Sequence, residues 1–201
     1  MNSWRISFEK TTFPGTPQVA EILALPRSVR RSLFEEGVPK HFFYRGYSAD
    51  LDPSVLRTER RSLFIRFGSD SRGIIGIDCD SGNVIHVSSG LRERVIFVNS
   101  TPGKFTETAR ILAQEFPYGT SGDLEEGHIA ADRMRAIIWS VDSQAAAPGS
   151  YWPDYTDEVD GWMYGMDEIV EWYRKRLSIQ PVADSSNLRK SGIGAADDSL
   201  F

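Results

Sequence analysis

Apolar positions change their period along the chain, and the change separates strands from helices. Four β-rich runs, Leu63 to Phe67 (LFIRF), Ile74 to Cys79 (IIGIDC), Val84 to Ser88 (VIHVS) and Arg94 to Asn99 (RVIFVN), are divided by GSDSRG, DSGN and SGLRE, all turn chemistry. Short runs joined by tight turns predict an antiparallel meander, and their mixed apolar and polar alternation predicts one face under helices and the other partly exposed. Past Asn99 the period becomes helical: Phe105, Ala109, Leu112 and Phe116 recur on one face. A second long helix is expected from near Ser121 or Asp123, packing Met134, Ile137, Ile138 and Val141, and ending in the Ala/Pro/Gly loop from Ala145 to Ser150. Further helix is expected over Tyr151 to Leu177, interrupted at Gly161 and Gly165.

Upstream of the meander the punctuation is proline and glycine. Thr16-Pro17 and Leu25-Pro26 each place Pro at a first helical position. The second of these helices turns Val29, Leu33 and Phe34 inward and Arg30, Arg31, Glu35 and Glu36 outward. Gly37 is expected to end it with a left-handed C′ residue, and Pro39 bars its resumption. HFFYRGY, His41 to Tyr47, reads as a short aromatic strand leading into a Pro-interrupted loop around Asp52-Pro53. The fold class is therefore α+β, a mostly antiparallel sheet flanked by N-terminal and C-terminal helices. A single domain is expected over residues 1–180, with residues 181–201 a disordered tail, because Ser, Asp, Gly and Ala dominate there and large apolar residues nearly vanish.

The passage VIFVNSTPGKF, from Val95, admits two readings. A phosphate-binding loop needs G-x-x-x-x-G-K-[ST], and aligning Gly103-Lys104 with its end puts Val98 at the first glycine and Phe105 at the hydroxyl. A capped helix start fits every position: Ser100 or Thr101 accepts free N–H groups, and Pro102 sits where no donor is missed. The passage is a strand-to-helix joint.

Composition narrows the class of function. The chain has 201 residues, 40% of them hydrophobic and 25% charged, an ordinary globular balance. No apolar run approaches the roughly 20 residues of a membrane helix, and MNSWRISFEK has no secretory h-region, so a cytoplasmic location is expected. One cysteine, Cys79, excludes an internal disulfide, and the three histidines form no zinc-ligand spacing. Charge is divided unevenly: residues 1–100 carry a net +3 and residues 101–201 a net −8. That argues against nucleic acid as the main ligand, since phosphate neutralisation needs a clustered basic surface, and suits a basic protein partner.

Three groups invite a chemical reading. Asp78-Cys79-Asp80 places two carboxylates where a divalent cation could sit, but Asp80-Ser81-Gly82-Asn83 also reads as a hairpin turn capped by an Asp side chain, with Asp78 facing solvent between inward Ile77 and Cys79. His86 lies mid-strand with Val84 and Ser88 on its face and no nucleophile or orienting acid beside it in sequence, and Cys79 reads as a small buried hydrophobe. No catalytic set, metal site or cofactor motif is expected, and hence no enzyme. The third group is acidic. From Glu115 to Glu171 there are 13 acids against two bases, and YWPDYTDEVD sets Asp154, Asp157, Glu158 and Asp160 beside Trp152 and Tyr155. A solvated helix face over a Trp-rich core is the more ordinary reading; aromatic anchors beside carboxylates for a basic partner is the sharper one.

The order of these motifs is similar to a known family. LPRSVRRSLFEEGVPKHFF (Leu25 to Phe43) resembles the Leu-Pro, short helix, Gly-Leu-Pro, aromatic opening of the SUKH superfamily of immunity proteins, which includes the fungal Smi/Knr-type regulators. FGSDSRGIIGIDCDSGNVIHVSSG resembles its central meander, FVNSTPGKF its Phe-Val-Asn-Ser-Ser helix entry, and SVDSQAAAPGSYWPDYTDEVDGWMY the ending of the fourth SUKH subgroup. Val38 replaces the more usual Leu, and Thr101 stands where a second Ser is common. The resemblance implies an α+β fold and a non-enzymatic role: binding and neutralising a cognate polymorphic toxin, of nuclease or deaminase type, in the bacterial cytosol. It also leaves open a Smi/Knr-like regulatory or scaffold module with no toxin partner. The resemblance identifies no contact residues; no membrane or nucleic-acid partner is expected from hydropathy and charge, and oligomeric state stays open.

Overall fold

The structure is a computed structural model and describes residues 8–13, 20–42, 44–58, 62–88, 92–116 and 124–161. Two short strands, β1 (Lys10–Thr11) and β2 (Val38–Pro39), pair antiparallel. The main sheet has six antiparallel strands in chain order: β3 (His41–Phe42), β4 (Tyr47–Arg57), β5 (Leu63–Asp70), β6 (Gly73–Asp78), β7 (Val84–Ser88) and β8 (Val95–Asn99). The four expected strands are its last four. The loop expected around Asp52-Pro53 lies instead inside β4, where the register to β5 shifts between Ala49 and Ser54. Proline cannot donate to a ladder, so it is accommodated where pairing is already broken. Within HFFYRGY, His41–Phe42 is strand, Tyr44–Gly46 forms a 3-10 turn and Tyr47 opens β4.

Alternation along the strands separates two apolar groups. Ile65, Phe67, Ile75, Ile77, Val84 and Val98 join the main core, whereas Phe64, Ile85 and Val87 form a smaller cluster with Leu56 and Ile74. A second register shift lies between Arg66 and Gly68 in the pairing of β5 with β6, and the Tyr47 ring packs against Gly68. A Cβ at Gly68 would fall 2.5 Å from the Tyr47 ring, so only glycine fits there.

The helices are α1 (Ala20–Ala24), α2 (Arg27–Arg31), α3 (Pro102–Glu115), α4 (Leu124–Val141) and α5 (Tyr151–Gly161). Pro26 is the N-cap of α2 rather than its first residue, and α2 runs on into a π-helical turn over Ser32–Glu36. Val29 and Leu33 are buried and Phe34 half-buried, with Arg31, Glu35 and Glu36 exposed. Gly37 has φ 82° but ψ 157°, an extended positive-φ conformation and not the left-handed helical one expected. The α3 joint is built as its sequence reads: Thr101 Oγ1 accepts from Lys104 N at 3.2 Å, Pro102 opens the helix, and Phe105, Ala109 and Leu112 are buried. On α4, Met134 and Ile138 are buried while Ile137 and Val141 are half-buried. No described helix is long and apolar enough to cross a membrane. The expected helix entrance at Thr16-Pro17, the start of α4 at Ser121 or Asp123, the helix past Gly161 and the tail from residue 181 fall outside the described residues.

Candidate functional site

Helix α5 turns one face to the sheet and one to solvent, as its apolar residues at 151, 152, 155 and 159 dictate. Gly149, at φ 82°, reverses the chain before it, and Ser150 Oγ donates to the carbonyls of Ala145 and Ala147. Trp152 is wholly buried: its Nε1 donates to Asn99 Oδ1 at 2.9 Å, and its ring meets Phe42 and Phe105 at centroid distances of 5.7 and 6.1 Å. Asn99 in turn donates to Asp142 Oδ2, which also accepts the Ser100 N–H at 2.6 Å. The strand-to-helix joint, the end of α4 and the start of α5 thus share one hydrogen-bonded knot. Tyr155 is 5% exposed and packs 4.3 Å from Tyr44. Trp152 and Tyr155, expected beside the acids as aromatic anchors, lie in the core of this fold, because apolar rings at the inward positions of an amphipathic helix are drawn inward.

Beside them lies a polar network that no sequence spacing suggested. Asp70, at the end of β5, has a buried carboxylate 3.1 Å from His86 Nε2, and it accepts the Tyr151 hydroxyl at 2.8 Å and the N–H groups of Arg72 and Gly73. Burial pushes Asp70 up, but the hydrogen bond and charge of His86, the Arg72 N–H and the Tyr151 hydroxyl outweigh it and hold the carboxyl below its ordinary value. Burial first, and then the Asp70 charge, raise Tyr151 well above the usual phenol range, so it stays a donor. His86 does have an orienting acid, supplied 16 residues upstream by the β5–β6 hairpin. His86 Nδ1 has no hydrogen-bond partner, and no nucleophile adjoins the pair among the described contacts. The arrangement fastens α5 to the sheet.

Arg45 completes the fastening from the 3-10 turn, in the left-handed conformation at φ 54°. Its side chain is 5% exposed, its guanidinium lies 4.5 Å over the Tyr44 ring, and Nη2 reaches Asp154 and Glu158, each at 3.3 Å. Burial works against its charge, and Tyr44, Tyr151, Glu158 and Asp154 outweigh that, leaving its pKa raised.

The four candidate acids lie on the outer side of α5 and are unequally engaged. Glu158 pairs with Arg45 and Arg72; Asp160 pairs with Arg135 and His128; both side chains are about three-quarters covered. Asp154 and Asp157 are 56% and 71% exposed, the first touching Arg45 and the second Arg135. Arg135, on α4, is raised above its usual value mainly by the hydrogen bond to Asp157, with Asp132 and Asp160 adding to it. Between α4 and the segment entering α5 runs an open groove of about 340 Å³, with Ile138, Ala146, Pro148 and Pro153 among its lining and Asp154 and Asp157 on its wall. Trp139 on α4 is 66% exposed, a residue missed from sequence because only the packed positions of that helix were sought.

The Asp-x-Asp triplet resolves as a turn. Asp78, not Asp80, is the capping side chain, accepting from Ser81 Oγ at 2.7 Å and from the Asp80 N–H at 3.2 Å. Cys79 lies in that turn, just past β6, and is half-buried. Among the described residues no three His, Cys, Asp or Glu side chains converge as metal ligands.

A family model described as SUKH-4 immunity protein matches residues 9–158, which includes the meander, α3, α4 and most of α5. No curated protein and no solved structure matches the chain.

Proposed function

The chain belongs to the SUKH-4 immunity protein family, and from that membership we propose that it acts without catalysis or cofactor, binding a toxin of nuclease or deaminase type in the bacterial cytosol. The family implies a toxin-immunity role and hence a cognate toxin as partner. The family match over residues 9–158 is the observation that carries this reading. The outer face of α5 supports a location for contact: Asp154 and Asp157 present carboxylates to solvent, with Glu158 and Asp160 behind them. A basic toxin surface, evolved to hold a polyanion or a polar base, would be drawn to such a face and blocked by it. On this reading membranes and nucleic acids are not partners.

The test is co-expression of this chain, affinity-tagged, with the product of the gene immediately upstream, since immunity genes lie directly downstream of their toxins. The expected result is a complex that survives purification and a toxin whose activity and lethality are suppressed. Absence of binding and of protection would sink the toxin reading and leave a Smi/Knr-like regulatory module in its place.

A further inference from the structure

The groove between α4 and the segment entering α5 brings apolar and acidic residues together at the surface. Its lining combines apolar surface, at Pro148, Pro153, Ala146 and Ile138, with the carboxylates of Asp154 and Asp157. Among its described lining residues the one cation is Arg135, already held by Asp132, Asp157 and Asp160. Trp139 is not itself part of the lining, but it stands one helical turn beyond Arg135, which is, and it is therefore that residue's neighbour on the surface of α4. A tryptophan 66% exposed is costly to leave in water and is the residue type most enriched among interface anchors. The volume, about 340 Å³, lies at the small end of the range for ligand pockets, which suits one long side chain.

We propose that this groove receives an arginine side chain of the toxin, with its guanidinium against Asp154 and Asp157 and with Trp139 packing on the backbone or stem beside it. The proposal rests on the immunity reading for the identity of the partner. Charge complementarity argues for a cation, and the apolar lining together with the exposed indole argues for arginine over lysine, because a guanidinium is weakly hydrated and stacks on flat apolar surfaces.

Two probes separate the failure of this proposal from failure of the immunity reading. The first is the toxin domain encoded immediately upstream, followed by surface plasmon resonance. Trp139→Ala and Asp157→Asn should each speed dissociation by about tenfold or more, while circular dichroism shows both variants folded. Binding with unchanged dissociation in both variants overturns the groove and leaves the immunity reading intact. If that domain does not bind at all, the immunity reading fails, and the second probe decides: hexa-arginine amide titrated into labelled protein and followed by NMR. Shifts confined to the Trp139 indole and to the amides of Gly149, Asp154 and Asp157, weakened in Asp157→Asn and by exchange for hexa-lysine amide, support the groove as a guanidinium site. Absent or uniformly scattered shifts overturn it. A dimer in sedimentation that dissociates on Trp139→Ala would assign the groove to a second copy of this chain, and overturns it equally.

Discussion

The two faces of α5 carry the same kinds of residue a sequence reader would pool, and they do opposite things. On the inner face, Tyr151 and Trp152 sit 2% and 0% exposed, each with its polar atom bonded to one buried acceptor, Asp70 or Asn99. On the outer face Asp154 and Glu158 reach the buried Arg45, whereas Asp157, 71% exposed, meets Arg135, itself 40% exposed. Buried polar groups must be paired and are expensive to disturb, whereas exposed ion pairs are screened and contribute little to stability. The inner face, with Arg45 and its acids, therefore fixes where α5 lies, and the exposed part of the outer face around Asp157 is free to be selected for binding. Mutations placed on each face should test that division.

The largest effect is expected from Trp152→Ala, which empties a core position and leaves Asn99 without its donor. A loss of about 3 to 5 kcal/mol is expected in urea denaturation. Trp152→Phe keeps most of the packing and should cost less, isolating the hydrogen bond. Phe105→Ala, on α3 across from the indole, belongs to the same size class, about 3 to 5 kcal/mol, and the two losses should not add, because the rings share a contact. Its neighbour Lys104 is 45% exposed and 3.6 Å from Asp142, so Lys104→Ala should change stability by under about 1 kcal/mol. A silent Phe105→Ala beside a large Lys104→Ala effect would reverse the assignment of the joint as structural.

A middle-sized effect is expected at the Asp70 network, and it has a sign in pH. Asp70 is held below its ordinary value of 3.8, so it binds its proton less readily folded than unfolded. Its contribution is therefore fully present above the unfolded value and is lost as pH falls through the folded one. Asp70→Asn should cost about 1 to 3 kcal/mol at neutral pH, and the variant should lose less stability than wild type between neutral pH and the acid limb below 3.8. Urea midpoints collected across that range would settle it. An equal acid slope in both proteins would remove Asp70 from the linkage and leave only its geometric role.

Why the sequence revealed the joint and the meander but not this network follows from distance along the chain. Thr101, Pro102 and Phe105 act within one turn of helix, and strands β5 to β8 declare themselves through local turns, so short windows suffice. The pairing of Asp70 with His86 depends on a hairpin register, and that of Tyr151 with Asp70 spans 81 residues. No local pattern encodes either. Strands β3 and β4 were harder for a different reason: a register shift interrupts the period-two pattern in which Pro53 reads as a loop. The acidic segment was visible as composition, but composition has no inside or outside. Trp152 and Tyr155 share an inward stripe with Tyr151 and Val159, and applying the helical period to α5 would have separated them from Asp154 and Asp157.

The smallest effect on stability, and the sharpest test of the outer face, is expected from Asp157→Lys. Glu158 and Asp160 are poorer probes: their carboxylates hold Arg45 and Arg72, or Arg135 and His128, and reversing them would loosen α5 as well as alter its charge. Asp157 is the most exposed of the four, and Arg135 retains Asp132 and Asp160 when it is replaced. Thermal melting should shift by no more than the equivalent of about 1 kcal/mol. Association with the upstream toxin domain should nevertheless slow, and its dependence on salt should weaken, because a reversed charge in a steering field acts on encounter and not on folding. Glu35→Lys is the matching control, a 74% exposed acid on the N-terminal π-helical turn, and it should leave both melting and association near wild type. Equal slowing by Glu35→Lys and Asp157→Lys would mean that the toxin responds to total charge alone, with the α5 face holding no privileged place. Slowing by Asp157→Lys alone, at unchanged melting temperature, separates the two faces of the helix as the structure divides them.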